Sequence, residues 1–279
     1  MLTCYPSPGK RKALKLCAAF AEGSDGRVAG LGESRLLPGA AFFYGMTGHT
    51  LPLIERCRRG GRDWYYADNA YYFGRGAYFR VTRNAYQHDG GGAAGPARFA
   101  RFGLKPAPWR RGGRHLLVTT QSELFYRLAL GTTRAAWLAD TLARLGAATD
   151  RPIEVCRKAA PRASGNAAAG PGFETHLRDA HALVTHSSST AVKALLDGVP
   201  VFCTGACMAS PMGRADLAQI ENPRYPGDRE AWLRNLAANQ WTREEMTDGT
   251  CWRQLRAQAA ARETPRTPDQ TSDPQRRPA

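Results

Sequence analysis

The chain has 279 residues, 43% of them hydrophobic, enough for one large domain or two of ordinary size, each with a buried core. Its 39 Lys and Arg against 24 Asp and Glu leave a formal charge of +15, which favours polyanionic or phosphorylated partners without choosing between them. No apolar run reaches membrane-spanning length, no secretion signal precedes the first charges, and seven scattered cysteines form no disulfide framework. The expectation is therefore a soluble, cytoplasmic protein with reduced thiols and no membrane partner.

In chain order, the short apolar run at residues 14–21 predicts a first strand, and residues 39–45 predict a second that ends in Gly45. A helix is expected over residues 51–57, with Thr50 as its N-cap, Pro52 in its first turn and Gly60-Gly61 as its stop. A third strand over residues 64–67 delivers Asp68 and Asn69 at its carboxyl end, where open α/β sheets keep their ligands. Residues 71–114 are a basic, glycine-broken connector with interleaved aromatics, nine Arg or Lys standing against the single acid Asp89. Gly90-Gly91-Gly92 and the stretch from Pro106 to Gly113 make it the best lobe boundary.

Beyond the connector, strands are expected at residues 115–120, 152–156, 182–185 and 199–202, and helices at 133–145, 173–179 and 191–197. Residues 229–239 and 243–255 read as terminal helices that pack back on this lobe. Strands alternating with helices imply parallel sheets. The expected architecture is α/β, with two Rossmann-like lobes at residues 1–105 and 106–255 and a disordered tail at 256–279, where prolines and polar residues follow Leu255.

The strongest chemical signal is the run Ser187, Ser188, Ser189, Thr190 between a strand and a helix. Capping the helix needs one hydroxyl, and four in succession, beside free backbone N–H groups, suit an anion. Arg157 and Lys158, at the end of the preceding strand, are two cations suited to a diphosphate, or else two solvated surface charges. In the first lobe, His49 and Asp68 follow successive strands and are candidates for the base of a group transfer, although each also has a purely local role as a helix start or a turn. In the connector, Arg80, Arg83 and Asn84, near several tyrosines and following Asn69, suit a polyanionic or base-bearing acceptor, DNA included. The alternative for the same residues is a strand pair with arginines on its wet face.

His176, His181 and His186, spaced by five, share no face, which disfavours a metal site. Cys203 and Cys207 have no accompanying pair, and read as small buried strand-end residues. The chain has no Walker loop, Gly-x-Ser-x-Gly elbow or Rossmann glycine fingerprint, so kinase, hydrolase and dehydrogenase chemistry lose ground.

The segment with Thr185, Ser187, Ser188, Ala194, Leu195, Leu196, Gly198, Val199, Pro200 and Val201 resembles the carboxyl-terminal nucleotide-sugar domain of GT-B glycosyltransferases, especially the capsule-polysaccharide and Kdo-type transferases. That resemblance covers at most about 90 residues. It implies a GT-B-like fold, a nucleotide-sugar co-substrate with no separate cofactor or metal, and a donor phosphate against Ser187 and Ser188. Where many such proteins carry a His-Pro pair, this chain has Arg157-Lys158. The wording around residues 64–72 and 78–85 is similar to that of uncharacterised bacteriophage proteins, which implies a modified DNA base as acceptor and a host cytoplasm as location. Glycosyl transfer is thus the leading expectation. A non-catalytic nucleic-acid-binding protein on a degenerate sugar-nucleotide fold, or a sugar-nucleotide epimerase, are the alternatives.

Overall fold

Adjacent aromatics on short strands, such as Phe42 and Phe43, alternate between the two faces of a sheet, so both faces must be covered. The structure, a computed structural model, describes residues 1–71, 77–87, 96–157 and 173–263. The chain opens with β1 (Thr3–Tyr5), α1 (Arg11–Gly23), β2 (Arg27–Val28), β3 (Ala41–Tyr44), α2 (Thr50–Arg59) and β4 (Trp64–Asn69). Next come β5 (Phe79–Arg83) and α3 (Pro96–Ala100). The second lobe runs through β6 (His115–Thr120), α4 (Glu123–Ala129), α5 (Arg134–Gly146), β7 (Ile153–Arg157), α6 (Phe173–Arg178), β8 (Ala180–Thr185), α7 (Thr190–Leu196) and β9 (Val201–Cys203). Two 3-10 turns, Ser210–Met212 and Leu217–Gln219, precede α8 (Arg229–Ala238), β10 (Gln240–Trp241), α9 (Arg243–Thr247) and α10 (Thr250–Glu263).

The fold is α/β in two lobes. The second sheet, ordered β7-β6-β8-β9, is parallel throughout. The first, ordered β10-β5-β4-β3-β1-β2, has a parallel portion from β2 to β4 and then two antiparallel strands. The expectation of parallel pairing fails at β5 for a geometric reason. Asn69 pairs with Phe79, so only residues 70–78 join the strands, too few for the crossover a parallel strand needs.

Residues 14–21 are helix, where a strand was expected. Within α1, Ala13, Leu16, Cys17 and Phe20 are buried at spacings of three and four, a helical stripe that lies on Phe42 and Tyr65. The chain after Asn239 also departs from the expected second lobe. Trp241 extends the first sheet, and Met246, Cys251 and Leu255 pack with Leu16, Cys17 and Phe20. A sheet face holding Phe42, Tyr65 and Phe79 needs more apolar cover than α1 supplies, and the returning helices provide it. Contact between α1 and the α9–α10 junction is close enough that a Cβ on Gly23 would stand 1.9 Å from the Met246 carbonyl oxygen. Gly249, at φ +78°, breaks the single helix expected over residues 243–255.

Helix α10 runs beyond Leu255 to Glu263 through alanine-rich sequence of high helix propensity, so the first residues assigned to the tail are helical. The rest of the tail, from residue 264, lies outside the described residues, as do Gly90-Gly91-Gly92. Among the described residues no helix is long and apolar enough to cross a membrane.

Candidate functional site

The serine turn sits where parallel-sheet geometry sends ligands, at the carboxyl end of β8 beside the carboxyl end of β6. Its hydroxyls are not equivalent. Ser187 is buried, and its Oγ accepts from Gln121 Nε2 at 2.9 Å while Gln121 Oε1 accepts from the Tyr126 hydroxyl at 3.2 Å. Thr190 shares a hydroxyl hydrogen bond with Thr119 at 2.9 Å, and Ser188 Oγ accepts from the Thr190 backbone N–H at 3.3 Å. Ser189 holds the N-cap position of α7 without a side-chain cap bond and is the exposed member of the four. Local structure therefore engages Ser187, Ser188 and Thr190, and Ser189 is the most exposed of the four, without a side-chain cap bond.

Two groups from beyond the second sheet close over this turn. Gln87 donates from Nε2 to the Ser187 carbonyl at 3.3 Å. Tyr71, whose backbone N–H donates to Gln240 Oε1 at 2.6 Å, packs into the second-lobe core beside Phe102. Together with Ser187, Ser188 and Ser189 on one side and Cys207, Met208 and Ala209 on the other, they line a crevice of about 150 Å³, the solvent at its mouth included. The crevice encloses no room even for a water molecule, so a ligand at this turn would lie at its mouth, against the exposed edge of the serine turn.

Arg157 ends β7 with its backbone paired to Thr120, at the same carboxyl edge as the serine turn. Its side chain and the whole of Lys158 lie outside the described residues.

On the first sheet, Asp68 and Asn69 are the last residues of β4. Asp68 accepts from three donors: the Asn69 backbone N–H at 2.7 Å, the Tyr66 hydroxyl at 3.1 Å and Arg80 Nη2 at 3.1 Å. Burial, and then the adjacent Asp68 charge, push the Tyr66 hydroxyl well up, so it remains a proton donor to the carboxylate. The Asp68 side chain keeps 34% of its surface exposed. Asn69 Oδ1 accepts from Lys12 Nζ at 2.9 Å and from the Tyr44 hydroxyl at 3.3 Å. Lys12 stands 4.8 Å from the Phe79 ring centroid, and burial lowers its pKa against the pull of Asp68.

His49 holds the N-cap position of α2 without a cap bond, one residue before the expected cap. Thr50 is instead the first helical residue, and it exchanges backbone-to-hydroxyl bonds with Thr47 at 3.0 and 3.1 Å. The His49 Nε2 atom is buried and has no hydrogen-bond partner among the described residues.

The connector residues do not converge on one surface. Arg80 is 5% exposed, ion-paired to Asp68, and lies with its guanidinium carbon 5.1 Å from the Tyr71 ring centroid. A polymer backbone has no access to a guanidinium so enclosed. Arg83 and Asn84 are at the other end of β5, and the strand rise of about 3.3 Å per residue puts them some 10 Å from Arg80. There Arg83 Nη2 reaches Asp63 at 2.8 Å, and Asn84 Nδ2 reaches the same carboxylate at 2.7 Å. Asn84 has φ +55° and accepts the Trp64 backbone N–H at 2.9 Å, which marks it as a turn residue.

Sequence reasoning missed Lys12, Gln87, Gln121 and the crevice side of Cys207. Lys12 had a usable signal, since reading residues 14–21 as a helix would have set it in the first turn after a strand. Gln87 and Gln121 carry no pattern and are recruited by distance alone. Among the described residues no group of three or more His, Cys, Asp or Glu is arranged to hold a metal ion.

No family model matches the chain, and no curated protein matches it. Among solved structures it is similar to KpsC, a beta Kdo 2,4 transferase of Thermosulfurimonas dismutans, at 14% identity and a TM-score of 0.49, over 86% of this chain and 90% of that one. Likeness at that level carries nothing about activity, which rests on the residues above.

Proposed function

We propose that this protein transfers a glycosyl group from a nucleotide-activated sugar to an acceptor hydroxyl. One observation carries the proposal: the serine turn of the second lobe is bordered by Tyr71, whose ring lies against the guanidinium of Arg80, the ion-pair partner of Asp68. That adjacency supports a donor phosphate at the turn lying near the Asp68 carboxylate of the first sheet. The resemblance of the Thr185 to Val201 segment to nucleotide-sugar domains supports the same assignment.

In this scheme the donor phosphate meets the Ser189 hydroxyl and the backbone N–H groups of the turn, with Arg157 and Lys158 as candidate counter-charges. Asp68, oriented by Tyr66 and Arg80, takes the proton of the acceptor hydroxyl as its oxygen bonds the anomeric carbon. The bond from that carbon to the phosphate oxygen breaks, and the nucleotide leaves with the electron pair against hydrogen-bond donors. Neither a cofactor nor a metal is required in the scheme. His49, with its uncommitted ring nitrogen, is the second candidate for the base.

The test is a thermal-shift screen of nucleoside mono- and diphosphate sugars, followed by measurement of nucleotide release with and without sugar acceptors. Stabilisation by a donor, with acceptor-dependent release, is the expected result. Conversion of the donor to an isomer without any acceptor would identify an epimerase, and stabilisation by DNA alone would identify a nucleic-acid binder. Either outcome overturns the proposal.

A further inference from the structure

The amino edge of the second sheet, opposite the serine turn, collects arginines that glycosyl transfer does not use. Strand β6 rises about 3.3 Å per residue, so His115 at its start stands about 16 Å from Thr120 at its end. Residues 107–114 run along this edge without regular structure. The Ala107 N–H donates to the Leu196 carbonyl, the Arg110 N–H to the Gly198 carbonyl and the Arg114 N–H to the Asp179 carbonyl, each at 2.8 Å. Trp109 and Tyr225 meet edge to face here with ring centroids 5.5 Å apart, and Trp109 Nε1 donates to the Pro226 carbonyl at 3.0 Å. A guanidinium lies on each ring. Arg229, which is buried, stands 3.9 Å from the Trp109 centroid, and Arg111, which is exposed, stands 4.3 Å from the Tyr225 centroid.

Elsewhere many surface arginines are neutralised, Arg58 by Glu55, Arg151 by Glu221 and Arg234 by Glu230. At this edge four are not. Arg110 Nη1 donates to the Leu177 and Arg178 carbonyls at 3.4 and 2.8 Å, and Arg224 Nη1 donates to the Pro211 and Gly213 carbonyls at 3.3 Å each. Arg111 rests on Tyr225, and Arg178 is exposed at the end of α6. None of these four has a carboxylate partner among the described residues. Asp179 is taken by Arg114 at 3.0 Å, and Asp228 stands at the N-cap position of α8. Capping of a helix end accounts for Arg110. It does not account for Arg111, because a ring contact occupies the face of the guanidinium and leaves its N–H edge unbonded. Neutral carbonyls and a ring fix these side chains without cancelling their charge, so an anion binds them with little further loss of freedom.

We infer that this edge is a binding surface for single-stranded nucleic acid. Phosphates meet Arg110, Arg178 and the N–H edge of Arg111, and a base stacks on the outer plane of the Arg111 guanidinium. A duplex suits the surface less, because its stacked bases offer no open face. An anionic membrane also suits it less. Peripheral membrane surfaces insert apolar side chains beside their cations, and the large exposed apolar residues among those described, Met1, Leu14, Val28, Leu31, Leu128 and Val155, belong to other segments. The surface lies at the far edge of the sheet from the serine turn, and its assignment stands independently of glycosyl transfer.

The experiment titrates a fluorescent oligothymidylate of about 20 nucleotides with the full-length protein and follows anisotropy from about 50 to about 200 mM salt. The expected result is binding that is tighter than to a duplex of the same length and that weakens steeply with salt. In the double variant Arg111→Ala, Arg178→Ala the affinity at low salt should fall about tenfold or more. Its slope of log K against log salt should be shallower by about 1.4, or about 0.7 for each lost phosphate contact. The double variant Arg58→Ala, Arg59→Ala removes the same charge from α2, where both arginines face Glu55, and should leave affinity and slope as in the parent. All four side chains are exposed, so both variants should melt with the parent. Equal losses in the two double variants would make the binding an effect of net charge alone and overturn the inference. So would a parent that fails to bind the oligonucleotide at low salt, or one that binds phosphatidylglycerol vesicles in its place.

Discussion

Asp68 and Arg80 face each other across β4 and β5 with Oδ2 and Nη2 3.1 Å apart, so the carboxylate assigned to proton transfer is also the counterion of a buried guanidinium. Replacing it tests two roles at once, and they separate by readout. Removing one member of a fully buried ion pair costs about 3–5 kcal/mol. Asp68 is one third exposed, which reduces the expected cost of Asp68→Asn to about 1–2 kcal/mol by urea denaturation. A base contributes about 10²–10⁴ in rate. Loss of kcat on that scale at a temperature where the variant stays folded supports the proton-transfer role, and a tenfold loss or less would leave Asp68 a counterion only.

Ser189 is the exposed hydroxyl of its turn and makes no side-chain cap bond. Ser189→Ala should therefore weaken donor binding several-fold with an unchanged melting temperature. Ser187→Ala should do the reverse. It strands Gln121 Nε2, at a cost of about 1 kcal/mol in stability, with a smaller effect on donor affinity. Calorimetric titration with the donor, set beside melting curves, separates the two patterns.

His186 is half-buried against Phe125 and Trp137, and burial lowers its pKa from 6.5. The folded state therefore resists protonation more than the unfolded chain does. Its contribution to stability is complete above pH 6.5 and declines as the pH falls from there towards the depressed folded value. Melting temperatures measured from pH 8 to pH 5 should fall less steeply below pH 6.5 in His186→Gln than in the parent. Parallel curves would show that His186 has no part in acid sensitivity.

Gly23 ends α1, where alanine would ordinarily gain about 1 kcal/mol of helix stability. Here a Cβ would lie 1.9 Å from the Met246 carbonyl oxygen and 2.7 Å from the Gly249 nitrogen. Gly23→Ala should instead destabilise by about 2 kcal/mol or more, as α9 is forced from α1. A rise in melting temperature would contradict the docking of the returning helices on the first sheet.

Arg83 is committed to Asp63 at 2.8 Å, far along β5 from Arg80. Arg83→Ala is expected to lower stability by less than about 1 kcal/mol and to leave any polyanion affinity, and its salt dependence, unchanged. A reduced slope of affinity against salt would return this residue to a binding surface.

Local chemistry in the sequence determined much of the second lobe. β6 follows from the five-residue apolar and β-branched run from Leu116 to Thr120, and α5 begins at the Thr133 cap, whose Oγ accepts the Ala136 N–H. The serine turn was legible for the same reason, since hydroxyls, a following helix and a closing Gly198 are all close in sequence. The antiparallel β5 follows from the short connection after β4, whereas tertiary structure alone decided the return of β10, α9 and α10 to the first sheet and the distribution of work among the four hydroxyls. Each depends on partners remote in sequence: Gln240 opposite Arg80, Met246 over Gly23, and Gln121 on Ser187. A hydrogen bond or packing contact across 66 or more residues leaves no local periodicity, because its energy depends on where the whole chain has brought the two groups.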